Sequence, residues 1–167
     1  ENVAEIYNAF NGEVRNQIIS RLEALGYQVE VKVLFAPDYG VPQRRSRCFF
    51  IGSRTGVKPY FPEPTHRKTD NADIFDQRPL YVSAWEAIND LPELENGEGA
   101  LVMDYDKAPS NEFQQFIRKD ADKLYDHITR ELKGVQLERM RSISAGQGIK
   151  DLPPEIRPKG GYSGAYG

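Results

Sequence analysis

Cysteine and histidine are scarce in this sequence, and their scarcity excludes several kinds of site. The 167 residues include one cysteine, Cys48, so an intramolecular disulfide and every multi-cysteine zinc motif are excluded. The two histidines, His66 and His127, lie far apart in the sequence and show no metal-ligand spacing. We therefore expect no bound metal, and we expect both histidines at the surface because their sequence neighbours are polar.

Long apolar runs and a basic amino-terminal segment are missing as well. No run reaches the roughly 18 apolar residues that a membrane helix needs, and residues 1–5 lack the basic side chains that begin a signal peptide. The formal net charge of -3 excludes a protein that binds nucleic acid through its overall charge, although it is compatible with a local basic patch. These absences predict no membrane partner and a location in a bacterial cytoplasm or, in a eukaryote, the nucleus.

The first third of the sequence has the periodicities of an α/β fold. Apolar residues recur at spacings of three and four over residues 4–26, which predicts one amphipathic helix. Alternation over 28–35 predicts a strand with one buried face, and the apolar run 48–52 predicts a second, buried strand. We predict that residues 27–53 form an antiparallel pair joined by the loop 39–45, with the helix packed against it.

The second half is richer in helix breakers, and its predicted elements are shorter. Ser83 and Glu86 have the spacing of a capping box at the start of a short helix, in whose core we expect Trp85. The predicted buried face of this helix comprises Ala84, Ala87, Ile88 and Leu91. Two further helices are predicted, over 110–124 and 132–143. The many glycines and prolines of residues 144–167 predict a loop.

The densest group of polar side chains lies in residues 39–47, Tyr-Gly-Val-Pro-Gln-Arg-Arg-Ser-Arg. On a strand, Arg45 and Arg47 share one face and Arg44 lies on the other. Guanidinium groups in this arrangement suit phosphate groups or the edge of a base. The alternative is a solvated hairpin whose arginines face water, and composition alone favours neither interpretation.

Two other side chains are candidates on chemical grounds. Glu1 is one, because a carboxylic acid can donate a proton to a ring nitrogen, although an isolated terminal glutamate does not imply this role. Cys48 is the other, as a nucleophile. The apolar residues Phe49, Phe50 and Ile51 that follow it favour a buried, inert thiol instead.

Two motifs of this sequence resemble those of the DNA (cytosine-5) methyltransferases. Residues 1–3 resemble the family's Glu-Asn-Val motif, and residues 36–47 resemble its Tyr-Gly-x-Pro-Gln-x-Arg-x-Arg motif. The predicted helix and strand lie between them, in the family's order. Residues 62–66, 85–92 and 151–153 are similar to parts of the family's variable target-recognition region, so the resemblance covers nearly all of the chain.

The resemblance implies a particular α/β fold. It is the C-terminal part of a Rossmann-like, S-adenosylmethionine-dependent methyltransferase domain, with an irregular, loop-rich target-recognition region. Residues 1–58 are then the back part of the catalytic domain, residues 59–160 the target-recognition region, and residues 161–167 the return into the catalytic domain. The family's glycine-rich cofactor motif, Phe-x-Gly-x-Gly, and the Pro-Cys loop of its nucleophile are missing from the sequence. We therefore expect a fragment that is inactive alone.

The resemblance also implies a reaction and roles for three residues. A methyl group passes from S-adenosylmethionine to C5 of a cytosine that is flipped out of double-stranded DNA, after a cysteine thiolate adds to C6. Glu1 is expected to protonate or hydrogen-bond the ring nitrogen N3. Arg47 is expected to hold the base carbonyl and to steady Glu1, with Arg45 supporting the same pocket.

The same resemblance assigns supporting roles to three more residues. Gln43 and Arg44 are expected to shape the loop and to contact the DNA backbone, and Asn2 to brace the loop that carries the nucleophile. Two alternatives stay open: a non-catalytic DNA- or protein-binding module of the same fold, and an RNA-methylating relative. A cognate restriction endonuclease is a further partner that the resemblance allows.

Overall fold

The computed structural model describes residues 1–68 and 75–158. The chain divides into two compact units, Glu1–Ala87 and Ile88–Gly167, which we call the amino-terminal and the carboxy-terminal unit. Residues 161–167, for which we predict a return into the catalytic domain, lie outside the described ranges. Within those ranges, no helix is both long enough and apolar enough to cross a membrane.

The amino-terminal unit is built on a three-stranded antiparallel sheet in the order β1-β3-β2. Its strands are β1 (Asn2–Val3), β2 (Gln28–Phe35) and β3 (Ser46–Ser53). β2 and β3 pair along their whole length, with Gln28 opposite Ser53 and Phe35 opposite Ser46. The antiparallel pair predicted over residues 27–53 is therefore confirmed. The apolar face of β2 is only partly buried, since Val33 keeps 37% of its surface exposed.

The helix predicted over residues 4–26 is wrong in its first part. Two short 3-10 turns, Ala4–Tyr7 and Ala9–Gly12, precede α1, which covers Glu13–Ala24. Phe10, Asn11 and Gly12 have φ angles of 49°, 54° and 87°, and a right-handed helix cannot run through three left-handed residues. As a result Phe10, expected in the buried stripe, is 77% exposed. The spacing of apolar side chains in the sequence gives no information about these φ angles.

The capping box predicted at the start of the next helix is confirmed. The Ser83 amide and hydroxyl both donate to Glu86 Oε2, at 2.7 Å each, and the Glu86 amide donates to Ser83 Oγ at 3.1 Å. The helix α2 spans only Ala84–Ile88, and Ala87 is its one buried residue. Trp85, expected in the core, is 67% exposed, and Ala84 and Ile88 are also exposed. A helix of little more than one turn presents too few positions to bury a stripe.

The carboxy-terminal unit contains a strand pair that the sequence patterns did not predict. Strands β4 (Gly99–Met103) and β5 (Leu124–Ile128) are antiparallel. Helices α3 (Glu112–Arg118) and α4 (Val135–Arg141) lie within the predicted ranges but are shorter. Leu124, predicted in a helix, is a buried residue of β5. Gly99 allows the close approach of the strands, because a Cβ there would lie 2.1 Å from the His127 carbonyl oxygen.

Polar groups make up much of the interior of the carboxy-terminal unit. Its buried apolar residues include Leu124, Leu152 and Ile156, the last two from the segment predicted as loop. Asp90 and Gln114 are equally buried. Asp90 forms a two-pronged ion pair with Arg118 at 3.0 and 3.2 Å, and Gln114 Nε2 donates to Asn89 Oδ1 at 2.7 Å.

The fold class is confirmed at the level of a mixed α/β protein with small sheets. Both sheets formed by the described strands are antiparallel. A Rossmann-like domain is centred on a parallel sheet. The Rossmann-like arrangement of the complete domain therefore stays a prediction, as do the domain boundaries at residues 58 and 160.

Candidate functional site

Glu1 and Arg47, which are far apart in the sequence, are in contact in the structure. Arg47 Nε lies 2.9 Å from Glu1 Oε1. The register of the sheet explains the contact, because Val3 lies opposite Arg47 and Glu1, two residues earlier, extends from the same face. Arg47 also donates from Nη1 to its neighbour's carbonyl, Ser46 O, at 2.8 Å. The guanidinium plane is thus held at two of its nitrogens.

The Glu1–Arg47 pair remains accessible to a ligand. The side chain of Glu1 is 48% exposed and that of Arg47 is 26% exposed. A carboxyl group and a guanidinium side by side offer hydrogen-bonding oxygens and several fixed N–H donors. Such a pair matches a planar heterocycle that presents a ring nitrogen beside a carbonyl oxygen.

Cys48 projects from the opposite face of β3. It lies opposite Asn2 in the sheet and is fully buried. Burial raises the pKa of the Cys48 thiol, which suppresses the thiolate needed for nucleophilic attack. The prediction that the Cys48 thiol is buried is therefore confirmed, and its inertness stays a prediction. Asn2 itself accepts a hydrogen bond from the Val3 amide at 2.9 Å, and its proposed support of a catalytic loop stays a prediction.

The loop between β2 and β3 is closed at its base by backbone hydrogen bonds. The Ala36 amide donates to Arg45 O at 2.8 Å, and the Val41 amide donates to Ala36 O at 3.3 Å. The loop begins with a 3-10 turn, Ala36–Tyr39, and β3 starts only at Ser46. Arg45 lies one residue before β3, so its predicted place on the face of Arg47 stays a prediction. Gln43, Arg44 and Arg45 are all exposed.

A second segment of the amino-terminal unit holds this loop, and sequence reasoning missed it. Asp38 O accepts hydrogen bonds from the Thr65 and His66 amides at 2.8 and 2.9 Å, and Tyr81 donates its hydroxyl to Asp38 Oδ1. The His66 ring lies directly over Gly40. We call Asp38, Thr65, His66 and Tyr81 the turn clamp. His66 is half-buried, so it keeps part of the surface exposure that we expected.

The other histidine, His127, belongs to the carboxy-terminal unit. His127, also expected at the surface, is half-buried, and its Nε2 lies 2.9 Å from Pro92 O. In the part of the chain that the structure describes, no group of three or more His, Cys, Asp or Glu side chains is arranged to hold a metal ion. The candidate site is the Glu1–Arg47 pair with the adjoining loop.

Comparison with known proteins identifies the family. The family model described as C-5 cytosine-specific DNA methylase matches residues 1–157. The chain belongs to this family. The resemblance inferred from the two sequence motifs is thereby confirmed. The match includes Glu1, Arg47 and the turn clamp, so the site described above lies within the family's own domain.

Individual relatives come from bacteria and from a vertebrate. The type II methyltransferase M.DdeI of Desulfomicrobium norvegicum is 37% identical over 144 residues, which cover 85% of this chain and 33% of the relative. The type II methyltransferase M1.HphI of Haemophilus parahaemolyticus is 32% identical over 161 residues, which cover 96% of this chain and 34% of the relative. DNA (cytosine-5)-methyltransferase 1 of Gallus gallus is 31% identical over 186 residues, which cover 98% of this chain and 12% of the relative. The chain thus spans about a third of the length of these two bacterial relatives.

Proposed function

We propose that this chain is the part of a DNA (cytosine-5) methyltransferase that holds the target cytosine. In the complete enzyme, a methyl group from S-adenosylmethionine is transferred to C5 of a cytosine flipped out of double-stranded DNA. The observation that carries the proposal is the Glu1–Arg47 pair at 2.9 Å on an accessible sheet face. Family membership supports the reaction, and the pair supplies groups that fit the base.

Each member of the pair has a distinct role in this proposal. Glu1 hydrogen-bonds or protonates N3 of the cytosine, which withdraws electrons from the ring and favours addition of a nucleophile at C6. Arg47 donates to the base carbonyl while its Nε holds Glu1. Charge develops on the base as the nucleophile adds, so these donors stabilise the transition state more than the ground state. Their fixed geometry avoids reorganisation during the reaction.

The loop residues complete the proposed site. Arg45 supports the base pocket from the position where the loop enters β3. Gln43 and Arg44 are exposed, as phosphate-contacting side chains must be, and contact the DNA backbone. Asn2 braces the loop that carries the nucleophile. We further propose that residues 59–160 form the target-recognition region, between the catalytic segments 1–58 and 161–167.

At Gly12, which precedes α1, the residues present do not fit S-adenosylmethionine. A Cβ built on this glycine would lie 2.9 Å from the Arg15 guanidinium. The backbone there faces a side chain of its own helix and forms no open cradle for a cofactor. We therefore assign no residue of this chain to the methyl donor and no reaction step to it here.

Substitution of Arg47 in the complete enzyme tests the proposal. Arg47→Ala removes a preorganised donor and should lower the single-turnover rate of methyl transfer at saturating DNA by about 100-fold or more. The matched control is Arg44→Ala, which should weaken DNA binding and reduce its salt dependence while leaving the saturated rate near that of the wild type.

The kinetics also separate the proposed function from its alternatives. If Arg47→Ala weakens binding and leaves the saturated rate unchanged, the catalytic assignment is wrong and a non-catalytic DNA-binding module is the better account. Methyl transfer to RNA in preference to duplex DNA by the wild-type enzyme would support the RNA-methylating relative. This chain by itself should transfer no methyl group, because its one cysteine is buried.

A further inference from the structure

The turn clamp connects two segments that are separated in the sequence. Besides the two hydrogen bonds to Asp38 O, Tyr39 donates its hydroxyl to Pro62 O at 3.1 Å, which ties the same turn to the start of the second segment. Tyr81, which donates to Asp38, also packs edge-on against Phe35 with ring centroids 6.0 Å apart. The 3-10 turn is therefore held by residues outside the loop.

Gly40 and His66 fit each other closely at the end of this turn. Gly40 has a φ of +77°, a conformation that glycine adopts at little cost. A Cβ at this position would lie 2.4 Å from His66 Cε1 and 2.9 Å from Nε2. A side chain at residue 40 would thus meet the imidazole ring directly. The ring stays in place through the His66 amide and through its Nδ1, 2.9 Å from Thr65 Oγ1.

Hydrogen bonds transmit the position of the turn to the exposed end of the loop. The Val41 amide donates to Ala36 O, and the Gln43 amide donates to Val41 O at 2.8 Å. Gln43 and Arg44 thus extend from a backbone whose starting point is the clamped turn. Arg47, by contrast, is set by the register of β3 and by Glu1. The two sets of polar side chains are positioned by different contacts.

We propose that His66 is a positioning residue for Gln43 and Arg44, and that it acts on DNA binding while methyl transfer is left to the Glu1–Arg47 pair. The inference rests on the proposed function, since it assigns DNA backbone contacts to these two loop residues. The segment around His66 orders the turn before DNA binds. The enzyme then loses less conformational freedom when the loop meets phosphate groups.

Limited proteolysis tests the positioning without reference to methyl transfer. Arg44 is exposed, but trypsin cleaves after it only when the backbone of the loop opens into its active site, so the cleavage rate reports the open population. His66→Ala and Gly40→Ala should each raise cleavage after Arg44 by about 5-fold, relative to cleavage after the exposed Lys133. In the double variant, the cleavage rate should rise by less than the product of the two single effects. Once the His66 ring is removed, the methyl group that Gly40→Ala introduces no longer collides with it. Unchanged cleavage ratios would overturn the positioning role.

Binding and kinetics of the complete enzyme test the consequence for DNA. His66→Ala should raise the KM for a duplex oligonucleotide about 5-fold and keep kcat within about 2-fold, because it acts through side chains that bind in the ground state. In a Gln43→Ala, Arg44→Ala background, His66→Ala should add no further loss. An undiminished effect in that background would overturn the inference. If the wild-type enzyme transfers no methyl group, the proposed function is wrong. The tryptic cleavage rates would still test whether His66 positions Gln43 and Arg44.

Discussion

The two units of this chain are stabilised in different ways. The amino-terminal unit rests on long, regular strand pairing, in which all eight residues of β2 have a partner in β3. The carboxy-terminal unit has two five-residue strands and a buried ion pair between Asp90 and Arg118. Regular pairing leaves a periodic signature in the sequence, whereas a buried polar contact does not. The comparison also predicts different sensitivities to substitution.

The largest effect is expected at the buried ion pair of the carboxy-terminal unit. Asp90→Ala leaves Arg118 without its buried carboxylate and should destabilise the unit by about 3–5 kcal/mol. Amide hydrogen exchange of β4 and β5 measures this loss locally. Lys123→Ala, which removes the exposed pair with Asp104, is the matched control and should cost less than about 1 kcal/mol. If Asp90→Ala lowers the exchange protection of the β2 and β3 amides as much as that of the β4 and β5 amides, the two units do not unfold independently.

The next effect concerns the buried thiol of the amino-terminal unit. Cys48→Ser places a hydroxyl in a fully buried position and should destabilise the unit by about 1–3 kcal/mol. Cys48→Ala should cost less, since it buries no polar group. Denaturant unfolding gives both values. The complete enzyme with either substitution should keep its single-turnover rate, and a large loss of rate in Cys48→Ala at full folding would make the inert-thiol assignment untenable.

A smaller effect is expected at the capping box of α2. Ser83→Ala removes the hydroxyl that accepts from the Glu86 amide and should cost about 1 kcal/mol of unfolding free energy. Trp85→Ala in the same helix should stay within about 0.5 kcal/mol, because the ring is mostly exposed. If Trp85→Ala is the more damaging of the two, the ring contributes to packing as the sequence pattern suggested.

The smallest effect is a pH dependence that originates in the same capping box. Hydrogen bonds from Ser83 lower the pKa of Glu86 below its usual value of 4.5. The stabilisation is therefore complete above the unfolded-state pKa and is lost as pH falls through the lower folded-state pKa. The difference in unfolding free energy between wild type and Glu86→Gln should shrink as pH decreases from 7 to below that range. A difference independent of pH would exclude this carboxylate as its source.

Sequence reasoning succeeded in the amino-terminal unit where a pattern directly reports a backbone state. Alternation over Gln28–Phe35 and the apolar run after Cys48 located β2 and β3, because a half-buried strand must alternate. The capping box of Ser83 and Glu86 was readable because its contacts lie within one turn. Phe10 was misplaced because apolar spacing carries no information about φ, and three left-handed residues broke the expected helix.

The carboxy-terminal unit was less readable because its strands are short and exposed. β4 reads Gly-Ala-Leu-Val-Met, without alternation, and Leu101 and Val102 are both more than half exposed. The spacing of Leu124 from its apolar neighbours fits a helix as well as a strand. It lies in a strand because it pairs with Met103 of β4. The burial of Asp90 depends on Arg118 from α3, a partner that no local pattern identifies.

The sequence by itself determined the family, the two motifs and the residue types available for chemistry. Glu1 and Arg47 were candidates because their motifs occur together, and a thiol followed by Phe49 and Phe50 indicated burial. Only the tertiary structure decided which groups touch. The antiparallel register places Glu1 beside Arg47, and the contact of His66 with Gly40 depends on where a distant segment returns to the sheet. Such contacts arise from chain reversal and packing, which no spacing along the sequence specifies.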